Sequence, residues 1–305
     1  MSHHDFTPGS NGYDKLEVNI ITRHEEINKP SAPHSKVRFI RNPIRALFDK
    51  MLFVLGVYPR LIDSGWYRAW FFEFVDYWVN CLGGRPLYLH DFFFLYSHYR
   101  TRFQEVEIKD RASFDSLREA WQDPKNIYGI FGAVYKYALS PFQYYRFKKY
   151  LKPNAKILEY GCGIAPFVRG MINDGRLDYR YTIADIGQFT YHYAKWRLKQ
   201  FGVTCIDIDP NQLPALPEKY DVIFLIQTME HLPNPLEVTK HLTDHLEPGG
   251  YLIFDFMISH GDGLDTHQAI DEREPVLKYI EEKYELVSGK IDYKANMGNT
   301  VVRKK

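Results

Sequence analysis

The stretch that most restricts the possible folds is Lys156-Ile157-Leu158-Glu159-Tyr160-Gly161-Cys162-Gly163-Ile164-Ala165-Pro166. An apolar run ends in a carboxylate, and a glycine-rich turn follows at once. Phe167-Val168-Arg169-Gly170-Met171-Ile172 can then open a helix. A strand, bare turn and helix in this order bring a ligand against main chain at the carboxyl edge of a sheet. One such turn is a loose signal, so its meaning depends on what the ends of the later strands carry.

From residue 151 onward short apolar runs alternate with helical patterns. The runs predict strands over Ile157–Tyr160, Tyr179–Ala184, Val203–Ile208, Val222–Ile226, Tyr251–Met257, Tyr284–Tyr293 and Thr300–Arg303. Helical spacing fills Phe167–Asn173, Phe189–Phe201, Pro235–Leu246 and Ala269–Lys283. Such alternation predicts an α/β fold with a doubly wound, mostly parallel sheet of seven strands. No helix fits between the last two strands, so they must run antiparallel to each other. Three strand ends carry further signals: Asp185 after the second, Asp209 after the third, and Gln227-Thr228-Met229-Glu230-His231-Leu232 after the fourth. A carboxylate at the end of the second strand can accept both hydroxyls of a ribose.

The first half has a different character. Residues 1–35 are polar and rich in Ser, Asn, His, Pro and Gly, which predicts a mobile tail. Within it Leu16, Val18 and Ile20 alternate with polar residues, as in a short strand, and His3-His4 in such a tail is an incidental pair. Residues 36–125 predict an aromatic-rich helical subdomain. Pro43 suits a first helical turn and Pro59 a helix end. Trp66, Trp70, Phe74 and Tyr77 fall at spacings of three or four and share a helical face. Gly83-Gly84 breaks the run, Phe92, Phe93, Phe94, Tyr96 and Tyr99 resume it, and an amphipathic helix spans Ser113–Trp121. Large rings at helical spacing predict a packed subdomain; the alternative is a lid or platform for a bulky, flat or lipid-linked ligand. Residues 126–305, opening with another aromatic helix pair, form the remaining domain.

Charge and cysteines narrow the function. Lys and Arg number 39 against 38 Asp and Glu, a formal charge of +1, so no electrostatic footprint for nucleic acid is expected. Cys81, Cys162 and Cys205 match no zinc spacing. A sparse, odd set without a signal peptide predicts a reducing cytoplasm. Trp66–Leu82 is the most apolar stretch, but Arg68, Glu73 and Asp76 interrupt it, so no transmembrane helix is expected. Peripheral membrane contact through residues 43–100 is a separate alternative.

Taken together, residues 154–305 resemble a class I S-adenosylmethionine-dependent methyltransferase. Leu158-Glu159-Tyr160-Gly161-Cys162-Gly163 is similar to that family's first motif. Asp221-Val222-Ile223 through Glu230-His231-Leu232 is similar to its fourth-strand motif. Leu246-Glu247-Pro248-Gly249-Gly250 is similar to the turn before its fifth strand. The resemblance implies a Rossmann-like sheet with an antiparallel last strand and S-adenosylmethionine as cofactor, leaving S-adenosylhomocysteine. It implies that Gly161 and Gly163 let the backbone approach the methionine part and that Glu159 answers its ammonium. It further implies that Asp185 holds the ribose hydroxyls, Asp209 receives the adenine amino group, and the Gln227 backbone borders the methionine end. Cys162 and Ile186 complete the cofactor-binding set, Cys162 as a small packed residue and not a nucleophile. The family's third glycine is Ala165 here, followed by Pro166, which the first helical turn tolerates. A nicotinamide fingerprint would need Gly at 166, which weighs against a dehydrogenase.

Methyl transfer is an in-line displacement that depends on placing the acceptor, and an alcohol or amine acceptor must also lose a proton. His231, at the edge after the fourth strand, is the first candidate base; His260 and His267, beyond the fifth, are the others. Ser259–His267 also holds Asp262 and Asp265, residue types that bind metals. The preferred reading of that segment is a glycine-bent loop whose side chains satisfy turns and cap a helix, so no metal is assigned. The expected acceptor is a small molecule, a natural product or sugar-containing metabolite, methylated on O or N. A carbohydrate or lipid-linked acceptor at a membrane surface, and a non-catalytic cofactor-binding partner protein, are the alternatives.

Overall fold

The computed structural model describes residues 51, 54–56, 65–89, 91–92, 95–96, 114–138, 143–209, 211–258 and 265–305. The expected tail, the strand near Leu16–Ile20, the helix opening at Pro43, and His260 lie outside them. The described residues divide into two compact units. One holds 51–96 and 124–138; the other holds 114–123 and 143–305. Residues 114–123, which the sequence groups with the aromatic half, thus pack with the second unit.

In the first unit, helix α1 (Gly65–Asp76) runs on into a π-helical turn, Tyr77–Cys81. Helix α3 (Tyr128–Ala138) packs against α1; helix α2 (Phe114–Gln122) lies between them in sequence but belongs to the second unit. Of the rings expected to share a face, Phe74 joins a core with Trp78, Phe92 and Phe131. Phe131 lies 4.9 Å from Phe74, 5.2 Å from Trp78 and 5.1 Å from Phe92, mostly edge-on, and all four are fully buried. Edge-to-face contact sets the positive rim of one ring against the negative face of the next. No helix among the described residues is long and apolar enough to cross a membrane.

The second unit is a seven-stranded sheet of order β3-β2-β1-β4-β5-β7-β6. Its strands are β1 (Lys156–Tyr160), β2 (Arg180–Asp185), β3 (Thr204–Asp207), β4 (Tyr220–Leu225), β5 (Leu246–Phe256), β6 (Tyr284–Ser288) and β7 (Met297–Lys304). The first five pair in parallel, and β7 inserts antiparallel between β5 and β6. The helices are α4 (Pro166–Asn173), α5 (Phe189–Leu198), α6 (Pro235–Asp244), α7 (His267–Asp271) and α8 (Arg273–Lys283).

Successive side chains of a strand face opposite ways, so each strand feeds two cores. Ile157, Phe224 and Ile253 pack with Phe167 and Met171 of α4 and Tyr191 of α5. Leu158, Ile223 and Leu252 pack with Leu242 of α6 and Val276 and Ile280 of α8. Burial on both faces is why these strands read as nearly continuous apolar runs. At the amino edge Asp221 accepts the first amide of β1, Lys156 N, at 2.9 Å. The Leu246–Gly250 turn lies inside β5 as an irregularity, because pairing jumps from Tyr220↔Leu246 to Val222↔Tyr251. Gly250 makes this fold-back feasible: a Cβ there would sit 2.8 Å from Glu247 O and 3.1 Å from Asp221 O.

Candidate functional site

The carboxyl ends of β2, β1, β4 and β5 lie side by side, and the expected cofactor residues sit along them. After β1 the chain turns sharply. Gly161 N and Cys162 N both donate to Ala184 O at the end of β2, at 2.8 and 3.2 Å. Gly161 has φ +64°, and a Cβ on it would overlap the Thr228 side chain; only glycine fits both demands. Gly163, at φ +52°, has open space where a Cβ would be. This is a bare cradle that a ligand can enter.

Ala165, where the resembled family has its third glycine, is also left-handed at φ 52°. Its methyl costs on the order of 1 kcal/mol in this conformation. It is fully buried, which offsets part of that cost. Pro166 takes the first position of α4, where its missing N–H is no loss.

Glu159 is on the α4 side of the sheet. Its carboxylate accepts Val168 N at 2.8 Å and Phe167 N at 3.3 Å. It therefore does the capping that Ala165 cannot, at the positive end of the helix. Burial pushes its pKa up to about 8, against the pull of these two amides. Asp185 accepts Gly163 N at 2.7 Å through one oxygen, and Ile186 N at 2.7 Å and Gln188 Nε2 at 2.9 Å through the other. It thereby ties the glycine turn to the end of β2. Burial raises its pKa to about 6. Cys162 is buried among these acids, and desolvation drives its thiol pKa well up, the opposite of nucleophile activation.

Gln227, just after β4, is left-handed at φ 51°. Its N–H donates to Asp255 Oδ1 of β5 at 2.6 Å, while its side chain is exposed. A strained non-glycine residue at a strand end is an outlier of the kind found at functional sites. Met229–His231 then forms a 3-10 turn with Glu230 inside. Burial first, and then the charges of Asp255 and Asp265, raise the Glu230 pKa to about 8. Its Oε2 has no partner among the described residues. His231 is half-buried, and its ring lies 5.6 Å from Trp121, edge-on at 79°.

The other candidates lie farther out. Asp209 is exposed and folds its carboxylate onto its own loop, accepting Asn211 N at 3.0 Å and Gln212 Nε2 at 3.2 Å. His267 is exposed at the start of α7, which Thr266 caps by accepting Ala269 N at 2.9 Å. Among the described residues no group of three or more His, Cys, Asp or Glu is placed to hold a metal ion.

Four carboxyl groups, Glu159, Asp185, Glu230 and Asp255, are thus buried to 5 % exposure or less at adjacent strand ends. The glycine turn beside Glu159 and Asp185 is open at Gly163. Such a lining suits a ligand with positive charge and with hydroxyl or amine donors. Glu159, Asp185 and Gln227 are legible in the sequence; Asp255, Trp121 and Gln122, whose Nε2 donates to Gly187 O in the turn after β2, are not. A lone carboxylate inside Leu252-Ile253-Phe254-Asp255-Phe256 is the available signal for Asp255. Nothing local marks the other two.

Comparison with known proteins bears on this arrangement. Residues 136–274 match the family described as methyltransferase domain. Two ubiquinone biosynthesis O-methyltransferases are similar. The one from Histophilus somni is 24% identical over 158 residues, 50% of this chain and 64% of the relative. The one from Shewanella pealeana is 27% identical over 159 residues, 49% of this chain and 62% of the relative. The chain therefore spans less than two thirds of the length of these curated relatives. Among solved structures, the N-methyltransferase NodS from Bradyrhizobium japonicum with S-adenosylhomocysteine is 16% identical. It has a TM-score of 0.41 and covers 67% of this chain and 98% of its own. The plantazolicin methyltransferase BpumL with S-adenosylhomocysteine is 18% identical at a TM-score of 0.45, covering 68% and 99%.

Proposed function

We propose that this chain, whose residues 136–274 are a class I S-adenosylmethionine-dependent methyltransferase domain, methylates an oxygen or nitrogen of a small-molecule acceptor. The observation that carries the reading is the open glycine turn with buried Glu159 and Asp185 beside it, at the same sheet edge as buried Glu230 and Asp255. S-adenosylmethionine carries an ammonium, a sulfonium and a ribose diol, and these are the groups such a lining answers. When bound, it supplies a methyl group activated by the positive sulfur.

In this proposal Gly161, Gly163 and the Gln227 backbone hold the amino-acid part, with Cys162 packed beneath them. Glu159, held near a pKa of about 8 by burial, would ionise beside the ammonium, because a neighbouring positive charge favours the carboxylate. Asp185 exchanges its bonds to Gln188 and the backbone for the ribose hydroxyls, beside Ile186. Asp209 leaves its own loop to meet the adenine amino group. His231, half-buried beyond β4, takes the acceptor proton at an imidazole nitrogen, with His267 and His260 as the further candidates. Oxygen is the favoured acceptor atom, because the curated relatives are named O-methyltransferases. A cytoplasmic location belongs to the same proposal.

Calorimetry with S-adenosylmethionine and S-adenosylhomocysteine tests the cofactor, and binding of neither would end the reading. A screen of phenols, catechols, sugars and amines for products heavier by one methyl group tests the acceptor. Replacing His231 by Ala should abolish transfer and leave cofactor affinity intact; turnover at the wild-type rate would remove it as the base.

A further inference from the structure

Helix α2 ends before residue 136, where the family match begins, yet it packs on the carboxyl edge of the sheet within the second unit. Leu117 and Ala120, three apart and on one face, are buried, and Phe114 braces Trp121 edge-on at 6.0 Å. The last two residues of the helix then reach in different directions. Trp121 meets His231, which follows β4. Gln122 Nε2 donates to Gly187 O at 2.6 Å, in the turn after β2. A Cβ on Gly187 would meet only that same Nε2, at 3.8 Å, so Gln122 alone covers this side of the turn among the described residues.

β2 and β4 are the two neighbours of β1. Adjacent strands lie about 4.8 Å apart, so their ends are separated by roughly 10 Å. Trp121 and Gln122 are consecutive, yet they reach the loops that follow these two strands, on either side of β1 and its glycine turn.

We infer that Trp121 and Gln122 form a clasp across the mouth of the cofactor cleft. Gln122 holds the turn that follows Asp185, and Trp121 sets the plane of the His231 ring. Both are positioning residues, contributed by a segment outside the matched domain. The inference rests on the cofactor reading above. The Gln122 end is a single bond from an exposed side chain, so it can open to let the nucleoside pass. The Trp121 end stays braced by Phe114, so it forms a fixed aromatic wall beside His231. A planar, unsaturated acceptor fits such a wall better than a branched aliphatic one.

Dissociation of S-adenosylhomocysteine, followed by rapid displacement, reads the clasp directly. Gln122→Glu puts an acceptor opposite the Gly187 carbonyl and should speed release about five- to ten-fold, the effect of losing one hydrogen bond. Its melting temperature should match the wild type, because the residue is exposed. Trp121→Ala should also speed release, and Trp121→Phe, which keeps an edge-on ring, should restore it. Amide exchange in residues 114–123 should slow when S-adenosylhomocysteine is added. Unchanged release in Gln122→Glu and Trp121→Ala, with no slowing of exchange, would overturn the clasp. If the wild-type chain binds neither cofactor form, the cofactor reading itself has failed and the clasp falls with it. If it binds both and the variants do not differ, only the clasp is wrong.

Discussion

At the scale of single residues, the site is built from carboxylates that serve the fold before they serve a ligand. Asp185 spends both oxygens on Gly163, Ile186 and Gln188. Glu159 spends its own on the first amides of α4. A carboxylate already bonded within the fold needs little reorganisation when a ligand donor replaces a protein donor. Replacing Asp185 by Ala is expected to weaken S-adenosylhomocysteine binding on the order of 100-fold, the effect of losing two charge-assisted hydrogen bonds. Calorimetry checks it, and an unchanged affinity would mean that the ribose binds elsewhere. The identity of these acids is legible in the sequence because each ends an apolar run. Their hydrogen-bond partners are not, since Gly163 and Asp185 lie 22 positions apart.

Two features of the β4–β5 pair operate at the scale of the element. The first is the bond from Gln227 N to Asp255 Oδ1, which holds a left-handed residue at the mouth of the cleft. Asp255→Ala should release that turn and lower S-adenosylhomocysteine affinity about ten-fold. Asp255→Asn, which keeps an acceptor for the amide, should remain near wild type. Equal loss in both variants would point to the charge of Asp255 instead. The second feature is the fold-back at Leu246–Gly250. A Gly250→Ala side chain would press on Glu247 O, Asp221 O and Tyr220 O, all main-chain atoms that cannot rotate away. A destabilisation of about 1–3 kcal/mol is expected, visible as a lower melting temperature. The strands themselves are readable from their apolar runs. The start of β5 is not: Leu246–Gly250 reads as a turn, and it joins the sheet only because Tyr220 is there to pair with Leu246.

For the whole molecule, the buried acids set a pH dependence. Glu159 and Glu230 are raised to about 8 and Asp185 to about 6 by burial. Each binds its proton more tightly folded than unfolded. Their contribution to stability is therefore present at low pH and lost as pH rises through those values. His192 opposes them: burial lowers its pKa from 6.5 to about 4. Its contribution is present above pH 6.5 and is lost as pH falls toward 4. The two trends offset each other below pH 6.5, and above it only the acids act. The melting temperature of the unliganded chain should therefore fall between pH 6.5 and 8. Glu230→Gln, which cannot ionise, should make that fall shallower; an identical slope in the variant would remove Glu230 from the account.

The sequence by itself determined the sheet, its glycine turn and the placing of Glu159 and Asp185 at strand ends, because these follow from periodicity and from residue types a few positions apart. Only the tertiary structure decided what the acids hold, which residue strains Gln227 into place, and that α2 belongs to the second unit. The contacts of α2 join residues 121 and 231, and residues 122 and 187. Contacts between such distant residues exist only once the chain has closed on itself, so no local pattern announces them. The glycine turn reads as one side of a cleft in the sequence; folding supplies Trp121 and Gln122 across it.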